Sequence, residues 1–204
     1  MKSSGFMKDA VILFVITLIS GLLLGGVYQI TKAPIERAVL AANMVSYQAV
    51  FPEAADFKTD GDMTAAVEKC NIALAGESFG NVGVDQALLA LDGSGNSLGY
   101  VITSHSDDSY GGTVQISVGI KADGTLNGIE FLSISDTPGL GLKAKEPEFK
   151  DQYKGKTAEA LTVTKSKDAN DSEISAISGA TITSSATTNA VNAALYYVHH
   201  CINQ

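Results

Sequence analysis

A run of apolar residues at positions 10–30 carries no charge, and only Thr17, Ser20 and Gln29 in it are notably polar. About 20 apolar residues are enough to cross a bilayer as a helix, and a helix satisfies its own backbone there. A cleaved signal peptide is the alternative, but its apolar core is usually about 7–15 residues long. The pattern therefore predicts an uncleaved transmembrane helix over 10–30 after a short segment, 1–9.

Helical spacing continues beyond this span. Pro34 suits the first turn of a new helix, and apolar residues then recur with a helical period. They are Ile35, Val39, Leu40, Met44 and Val45. The pattern predicts a stalk helix that ends near Phe51-Pro52, within a juxtamembrane segment 31–56. A domain over 57–204 follows, with a short helix near 63–70.

From position 86 onward, short apolar runs alternate with turn residues. Asp92–Asn96 and Lys121–Gly124 are turn clusters, each between two runs with strand character. The predicted strands cover 87–91, 98–104, 113–120 and 126–134. In the third strand, apolar and polar or small residues alternate, which predicts one buried face and one solvent-facing face. The predicted fold is an α+β domain in which a four-stranded antiparallel meander has helices against one face.

The charge distribution limits the possible partners. The formal net charge of the 204 residues is −8, and the basic excess is confined to residues 1–37, so the predicted domain is acidic. An acidic domain argues against nucleic acid as a partner. Lys2 and Lys8 precede the span and Lys32 and Arg37 follow it, so the positive-inside rule does not orient the helix.

Few residues outside the motifs described below indicate a catalytic, metal-binding or cofactor-binding site. Cys70 and Cys201 are too few for a recognisable metal site; a disulfide and two reduced thiols both stay open. His199-His200 suits the carboxyl end of a helix, and His105 stands alone. Neither a catalytic triad nor a dinucleotide-binding fingerprint is present. We therefore predict no metal site, and no nicotinamide site on this chain.

The segment from Ser178 to Ser184 joins a strand-like run, 174–177, to a helical pattern. Gly179 and Ala180 permit a tight turn and the close approach of a bulky group. The amino terminus of a helix offers unpaired N–H groups and suits a phosphate, and a hydroxyl beside a phosphate can accept a phosphoester. The alternative is that the hydroxyl residues here merely cap the helix, as Ser and Thr often do. These residues are Thr181, Thr183, Ser184 and Ser185.

Ser178-Gly179-Ala180-Thr181 resembles the flavinylation motif of the FMN-binding domain family. In that family a separate flavin transferase joins FMN to the motif threonine through a phosphoester bond. The family usually has an acidic residue three positions before the motif serine, where this chain has Ser175.

Two further segments carry the same resemblance. Ser135–Gly141 resembles the Glu-Thr-Pro-Gly-Leu-Gly loop of these domains, which packs against the isoalloxazine, and Asp136 takes the place of the glutamate. Tyr110-Gly111-Gly112 also resembles a family segment. With the amino-terminal span, the three matches resemble the G subunits of Rnf complexes, the ion-translocating ferredoxin:NAD⁺ oxidoreductases.

The resemblance implies a covalent flavoprotein that relays electrons, with FMN attached to Thr181. It implies other membrane and peripheral Rnf subunits as partners, and a flavin transferase during maturation. It also implies a single-pass protein of the cytoplasmic membrane with a cytoplasmic amino terminus and an extracytoplasmic FMN domain. The implied cofactor-binding residues are Ser178, Gly179, Ala180, Thr181, Ile182, Thr183, Asp136, Thr137, Gly139, Leu140 and Tyr110.

Two other interpretations stay open. One is a C subunit of a sodium-translocating NADH:quinone reductase, which shares the motifs but is usually longer. The other is a non-redox, membrane-anchored binding or assembly module in which Ser178–Thr181 only begins a helix.

Overall fold

The computed structural model describes residues 3–59, 61–166 and 168–202, without the side chains of residues 3–6 and 32–42. The chain divides into two compact units between Asn43 and Met44. Residues 1 and 2, which belong to the predicted amino-terminal segment, lie outside the described residues.

Helix α1 (Ser3–Val50) contains the predicted span. Its Met7–Thr31 stretch has a mean hydropathy of 2.6 and is, within the described residues, the one helix long and apolar enough to cross a membrane. Every side chain from position 7 to 30 is exposed. Because α1 continues through Pro34, a new helix does not begin there. The predicted apolar side chains Ile35, Val39 and Leu40 lie outside the described part.

The second unit begins with the last turns of α1 and contains one main sheet flanked by helices. Its elements are β1 (Asp56–Lys58), α2 (Gly61–Leu74), β2 (Val82–Leu91), β3 (Ser97–Ser106), β4 (Val114–Lys121), β5 (Leu126–Ser133), α3 (Pro147–Lys150), β6 (Thr162–Thr164), β7 (Glu173–Ser175) and α4 (Thr181–Tyr196). Short 3₁₀ turns cover Gly141–Lys145 and Asp151–Tyr153. A π-helical turn, Tyr197–Cys201, extends α4.

The main sheet is antiparallel, with the order β1-β2-β3-β4-β5. The four predicted strands are present as β2 to β5, and both predicted turns join them. In the first turn, Asp92 Oδ1 accepts hydrogen bonds from the amides of Ser94 and Asn96 at 2.8 and 2.9 Å. Strand β1 was not predicted, because three residues are too short for an alternating pattern to be visible.

Helices cover one face of the sheet as predicted, and Ser104 Oγ on β3 donates to the carbonyl of Ala190 on α4 at 2.7 Å. The opposite face was predicted to be solvent-facing, and that prediction is wrong near α1. There Tyr47, Val50 and Phe51 form a second core with residues of β2 and β3. The predicted stalk residues Met44 and Val45 are exposed instead.

Helix α4 is almost wholly buried from Thr183 onward. Asn192 accepts from the amide of Leu161 and donates to its carbonyl, at 2.8 and 2.9 Å, which fixes the chain entering β6. Strands β6 and β7 form a separate parallel pair, and β7 leads into the turn before α4. Only the first two residues of α4, Thr181 and Ile182, are exposed on this helix. The predicted motif therefore lies where a buried helix reaches the surface.

Candidate functional site

A tight turn over Ile177–Ala180 precedes α4. The Ala180 amide donates to the Ile177 carbonyl at 2.9 Å, and Gly179 adopts a φ of +80°, which glycine tolerates at little cost. Ser184 links this turn to the helix through two hydrogen bonds. Its Oγ accepts from the Ile177 amide at 3.0 Å and donates to the Ala180 carbonyl at 2.9 Å.

The amino terminus of α4 has no side-chain cap. Its N-cap position is Ala180, which has no side-chain oxygen. The first amide with a helical partner is that of Ser184, which donates to the Ala180 carbonyl at 3.0 Å. Within the described residues the amides of Thr181 to Thr183 have no acceptor. The capping interpretation of the hydroxyl residues is therefore wrong, and the end of the helix keeps free donors.

The hydroxyls of Thr181 and Thr183 have different environments. Thr181 is exposed, and its hydroxyl has no hydrogen-bond partner in the described part of the chain. Thr183 is 1 % exposed, and its Oγ1 donates to Asp136 Oδ2 at 2.5 Å. Of these two hydroxyls, only that of Thr181 is accessible to a reagent.

Asp136 joins three separate segments. Besides Thr183 from α4, its carboxylate accepts from Ser109 Oγ at 3.1 Å and from its neighbour's amide, Thr137 N, at 2.6 Å. The Gly111 amide is a further donor to it. The β3–β4 loop, the loop after β5 and the start of α4 therefore meet at one carboxylate.

These hydrogen bonds outweigh the effect of burial on Asp136. Burial alone raises the pKa of the carboxyl, but the hydroxyl of Thr183, the amide of Thr137, and then Ser109 and Gly111 hold that pKa below its usual value. The carboxylate is therefore charged at neutral pH, and it acts as an acceptor for all four groups.

Two glycines allow this close packing. A Cβ on Gly111 would overlap the Ser135 carbonyl, and a Cβ on Gly141 would overlap the Asp136 carboxylate. Ser109, Gly141 and Ser184 were not among the predicted site residues. The glycines that flank Tyr110 and Leu140 were the available signal, since closely approaching loops need residues without a Cβ.

The predicted Pro-Gly turn is present after Asp136. The Leu140 amide donates to the Thr137 carbonyl at 3.1 Å, and Gly139 has a φ of +77°, as expected for the third residue of a type II turn. Leu140 Cδ2 lies 3.2 Å from the position that a Cβ on Gly179 would occupy. The turn therefore lies against the motif that precedes α4.

Exposed apolar side chains come from all three segments. Tyr110 is 75 % exposed, Leu140 44 % and Ile182 56 %. Among the large apolar side chains described after Val50, only Ile72 is comparably exposed. All three lie on the segments that meet at Asp136, and exposed apolar side chains of this kind suit a flat aromatic ligand. We call Tyr110, Leu140 and Ile182 the apolar trio.

A pocket of about 680 Å³ adjoins the turn and includes Ile177, Ser178 and Lys143 in its lining. The apolar trio and Thr181 do not line this pocket. Among the described residues, no group of three or more His, Cys, Asp or Glu side chains could hold a metal ion.

The residues present fit a phosphorylated aromatic cofactor. Free amides at a helix amino terminus suit a phosphate, an exposed threonine hydroxyl suits an ester bond to it, and the apolar trio suits a planar ring. Most of the predicted site residues lie on the three segments that meet at Asp136. Ser178 is exposed beside them, at the edge of the pocket.

The chain is similar to several known proteins. A model of the FMN-binding domain matches residues 109–196, which include the three segments. The G subunit of the Na⁺-translocating ferredoxin:NAD⁺ oxidoreductase complex of Acetobacterium woodii is 36 % identical over 189 residues, which cover 91 % of this chain and 87 % of that protein. The G subunit of the proton-translocating complex of Clostridium ljungdahlii is 36 % identical over 122 residues, with coverages of 60 % and 65 %.

A solved structure is also similar. The C subunit of the Na⁺-translocating NADH-quinone reductase of Parabacteroides distasonis is 24 % identical, with a TM-score of 0.46, and the match covers 55 % of this chain and 62 % of that one.

Proposed function

The chain belongs to the family of G subunits of ion-translocating ferredoxin:NAD⁺ oxidoreductase (Rnf) complexes, and we propose that Thr181 is its site of covalent FMN attachment. As a G subunit it is an electron-transfer component of an oxidoreductase, with an FMN-binding domain and the other Rnf subunits as partners. It is a membrane protein with one apolar amino-terminal helix. We also propose which residues hold the flavin and how the chain is oriented in the membrane.

The observation that carries the proposal is the difference between the two threonines. The hydroxyl of Thr181 is exposed and has no partner within the described residues, whereas that of Thr183 is buried against Asp136. A phosphoester on Thr181 would place the phosphate beside the free amides of α4. Those amides and the helix dipole stabilise negative charge.

The remaining residues of the site have positioning roles in this proposal. The apolar trio supplies surface for the isoalloxazine, and Asp136 holds the two loops against α4. Gly179 has no side chain and Ala180 a small one, so neither blocks access of the cofactor to Thr181. Bound FMN supplies the electron transfer, and the protein supplies position and electrostatics.

We propose that a flavin transferase makes the bond after the domain has folded. The exposed hydroxyl and the tight turn beside it support this, because a modifying enzyme needs access to the acceptor. Ser175, at the position where the family usually has an acid, donates through Oγ to the Ser166 carbonyl at 2.9 Å. We therefore do not expect its side chain to take part in the transfer.

We also propose that the amino terminus lies in the cytoplasm and the FMN domain outside. A covalent bond supports this orientation, since a flavin lost outside the cytoplasm could not be replaced from the cellular pool. The predicted boundaries, 1–9, 10–30, 31–56 and 57–204, are part of the same proposal.

Flavin fluorescence in a denaturing gel tests the attachment, with the full chain co-expressed with a flavin transferase. Wild type should give a fluorescent band. Thr181→Val should give none, because it removes the hydroxyl and nearly preserves the shape of the side chain. Thr181→Ser, which restores a hydroxyl at the same position, is the matched variant and should recover a band.

Two further variants separate attachment from folding. Ser178→Ala and Thr183→Val should both keep the band, although Thr183→Val loosens the site by removing the hydrogen bond to Asp136. Thr181→Val should fold like wild type, since an exposed substitution usually changes stability by about 0.5 kcal/mol or less. A full-strength band from Thr181→Val would refute the proposed acceptor.

A further inference from the structure

The two cysteines of the chain lie together in the structure. Cys70 on α2 is completely buried, and Cys201 in the carboxyl-terminal π-helical turn packs, half-buried, against the same core. The Cys201 thiol is a close neighbour of the Cys70 thiol. Cys70 and Cys201 are far apart in sequence, so the fold alone makes them neighbours.

A second contact holds the same two elements together. The Tyr197 hydroxyl in the π-helical turn donates to the Met63 carbonyl of α2 at 2.9 Å, within the core. The position of Cys201 relative to α2 therefore depends on a buried hydrogen bond as well as on apolar packing. A disulfide tolerates only a narrow range of Cα separations, so two elements that are already held together suit one.

Cys201 is also accessible from outside. It lines a pocket of about 570 Å³ between α2 and the end of α4, together with Lys69, Ala73 and His200. A small molecule in this pocket can therefore approach Cys201, whereas Cys70 is completely buried and does not line the pocket.

We propose that Cys70 and Cys201 are a dithiol that a small-molecule disulfide converts into a disulfide bond, linking α2 to the carboxyl-terminal turn. This bond is independent of the flavin and of its attachment to Thr181. It would close a loop that contains most of the domain, including all three segments that meet at Asp136.

The chemistry is two successive thiol–disulfide exchanges. The Cys201 thiolate attacks one sulfur of the small disulfide, a mixed disulfide forms, and one small thiol leaves. The Cys70 sulfur, after losing its proton to solvent, then attacks the Cys201 sulfur and displaces the second small thiol. Two protein thiols are oxidised, and one small disulfide is reduced to two thiols.

The second exchange should be the slower one. Burial is the largest cause that raises the pKa of the Cys70 thiol above its usual value, and Cys70 is still buried when Cys201 carries the mixed disulfide. Because the thiolate is the nucleophile, closure should become faster as pH rises. A brief reaction at neutral pH should therefore reveal the mixed disulfide on Cys201.

The test treats the full chain in detergent with oxidised glutathione, then alkylates the remaining thiols after denaturation and measures the intact mass. We expect a product without free thiols and without bound glutathione, lighter than the reduced chain by two hydrogen atoms. Dithiothreitol should return both thiols. Cys70→Ala should stop at one glutathione on Cys201, and Cys201→Ser should leave Cys70 unmodified.

Thermal unfolding of the oxidised and reduced chains is the second measurement. Closing a long loop destabilises the unfolded state, so the oxidised chain should unfold at a midpoint higher by about 5 °C or more. Wild type that ends with glutathione on Cys201 and a free Cys70 at high pH would overturn the proposal. So would two unmodified thiols in the folded chain.

Discussion

Thr183 Oγ1 donates to Asp136 Oδ2 at 2.5 Å, between residues 47 positions apart. This hydrogen bond joins the start of the buried helix α4 to the loop that follows β5. The same carboxylate accepts from Ser109 in the β3–β4 loop. The geometry of the proposed FMN site therefore depends on one side chain that we do not expect to react.

The first prediction concerns this carboxylate. Asp136→Asn keeps the shape but replaces one acceptor oxygen with a donor group, so at least one of its partners loses its hydrogen bond. We expect the domain to lose about 1–3 kcal/mol of unfolding free energy, with a weaker flavin band at equal protein. Thermal unfolding measures this loss. Glu148→Gln, which changes an exposed carboxylate, is the control.

The carboxyl of Asp136 should also make the unfolding free energy of the domain depend on pH. Hydrogen bonds hold the folded pKa of Asp136 below the value of about 3.9 found in unfolded chains. Its contribution to stability is therefore complete above about pH 4 and is lost as pH falls through the folded pKa. The difference between wild type and Asp136→Asn should shrink under acid. An equal difference at every pH would show that the charge of Asp136 has no role.

The second prediction concerns His105, away from the flavin site. Its Nδ1 lies 2.8 Å from Asp85 Oδ1, and Gln115 donates to Asp85 Oδ2 at 2.6 Å. The hydrogen bond to Asp85 raises the pKa of His105, against burial, and the charges of Asp85 and Asp107 add to the increase. The contribution of the pair is complete below the unfolded pKa of about 6.5 and is lost as pH rises through the folded value.

His105→Gln should therefore destabilise the domain more at about pH 5.5 than at about pH 8.5. Chemical denaturation at the two pH values measures the difference, and His200→Gln, at an exposed position, is the control. If His105→Gln costs the same free energy at both pH values, the charged form of His105 does not stabilise the fold.

The sequence predicted the parts of the site that depend on local chemistry. Pro138-Gly139 and Gly179 form the turns that their residue types favour, and α4 begins at Thr181. The sequence could not show which threonine hydroxyl is free, because that depends on Asp136 reaching Thr183 across the fold. Likewise, Cys70 and Cys201 become neighbours only when α2 packs against the end of α4.

For a related reason, the sequence pattern did not predict that the end of α1 covers the second face of the sheet. Alternation along β4 correctly placed its apolar residues in the core, but it carries no information about what lies on the other side. There Gly119 leaves space for Val50 and Phe51 from the end of α1. Gly119, and Gly99 on β3, which also lies against Phe51, were local signs of that contact.

The third prediction concerns orientation. Ser94 is exposed in the β2–β3 turn, so a cysteine placed there should be accessible without disturbing the core. In a chain with Cys70 and Cys201 removed, Ser94→Cys should react with a membrane-impermeant maleimide on intact cells. Labelling only after the cells are opened would place the domain in the cytoplasm instead.

The fourth prediction concerns the apolar helix. A Cβ on Gly21 or Gly25 meets nothing within 4 Å, and these residues lie four apart, on one side of α1. In membranes such glycines allow close helix packing. Replacing both with Leu should reduce co-purification of the other Rnf subunits while FMN stays attached. Leu18→Ile with Leu22→Ile is the control, and unchanged co-purification of the glycine variant would exclude this face from the subunit contact.

The central claim is that the Thr181 hydroxyl carries FMN, and peptide mass spectrometry tests it most directly. The full chain is co-expressed with a flavin transferase, digested, and the fragment that contains Ser178–Ser185 is sequenced by fragmentation. We predict one FMN on this peptide, located at Thr181 and absent from the same peptide of Thr181→Val. An FMN on Thr183, Ser178 or any other residue, or an unmodified peptide from a co-expression that flavinylates a known substrate of the transferase, would contradict the account.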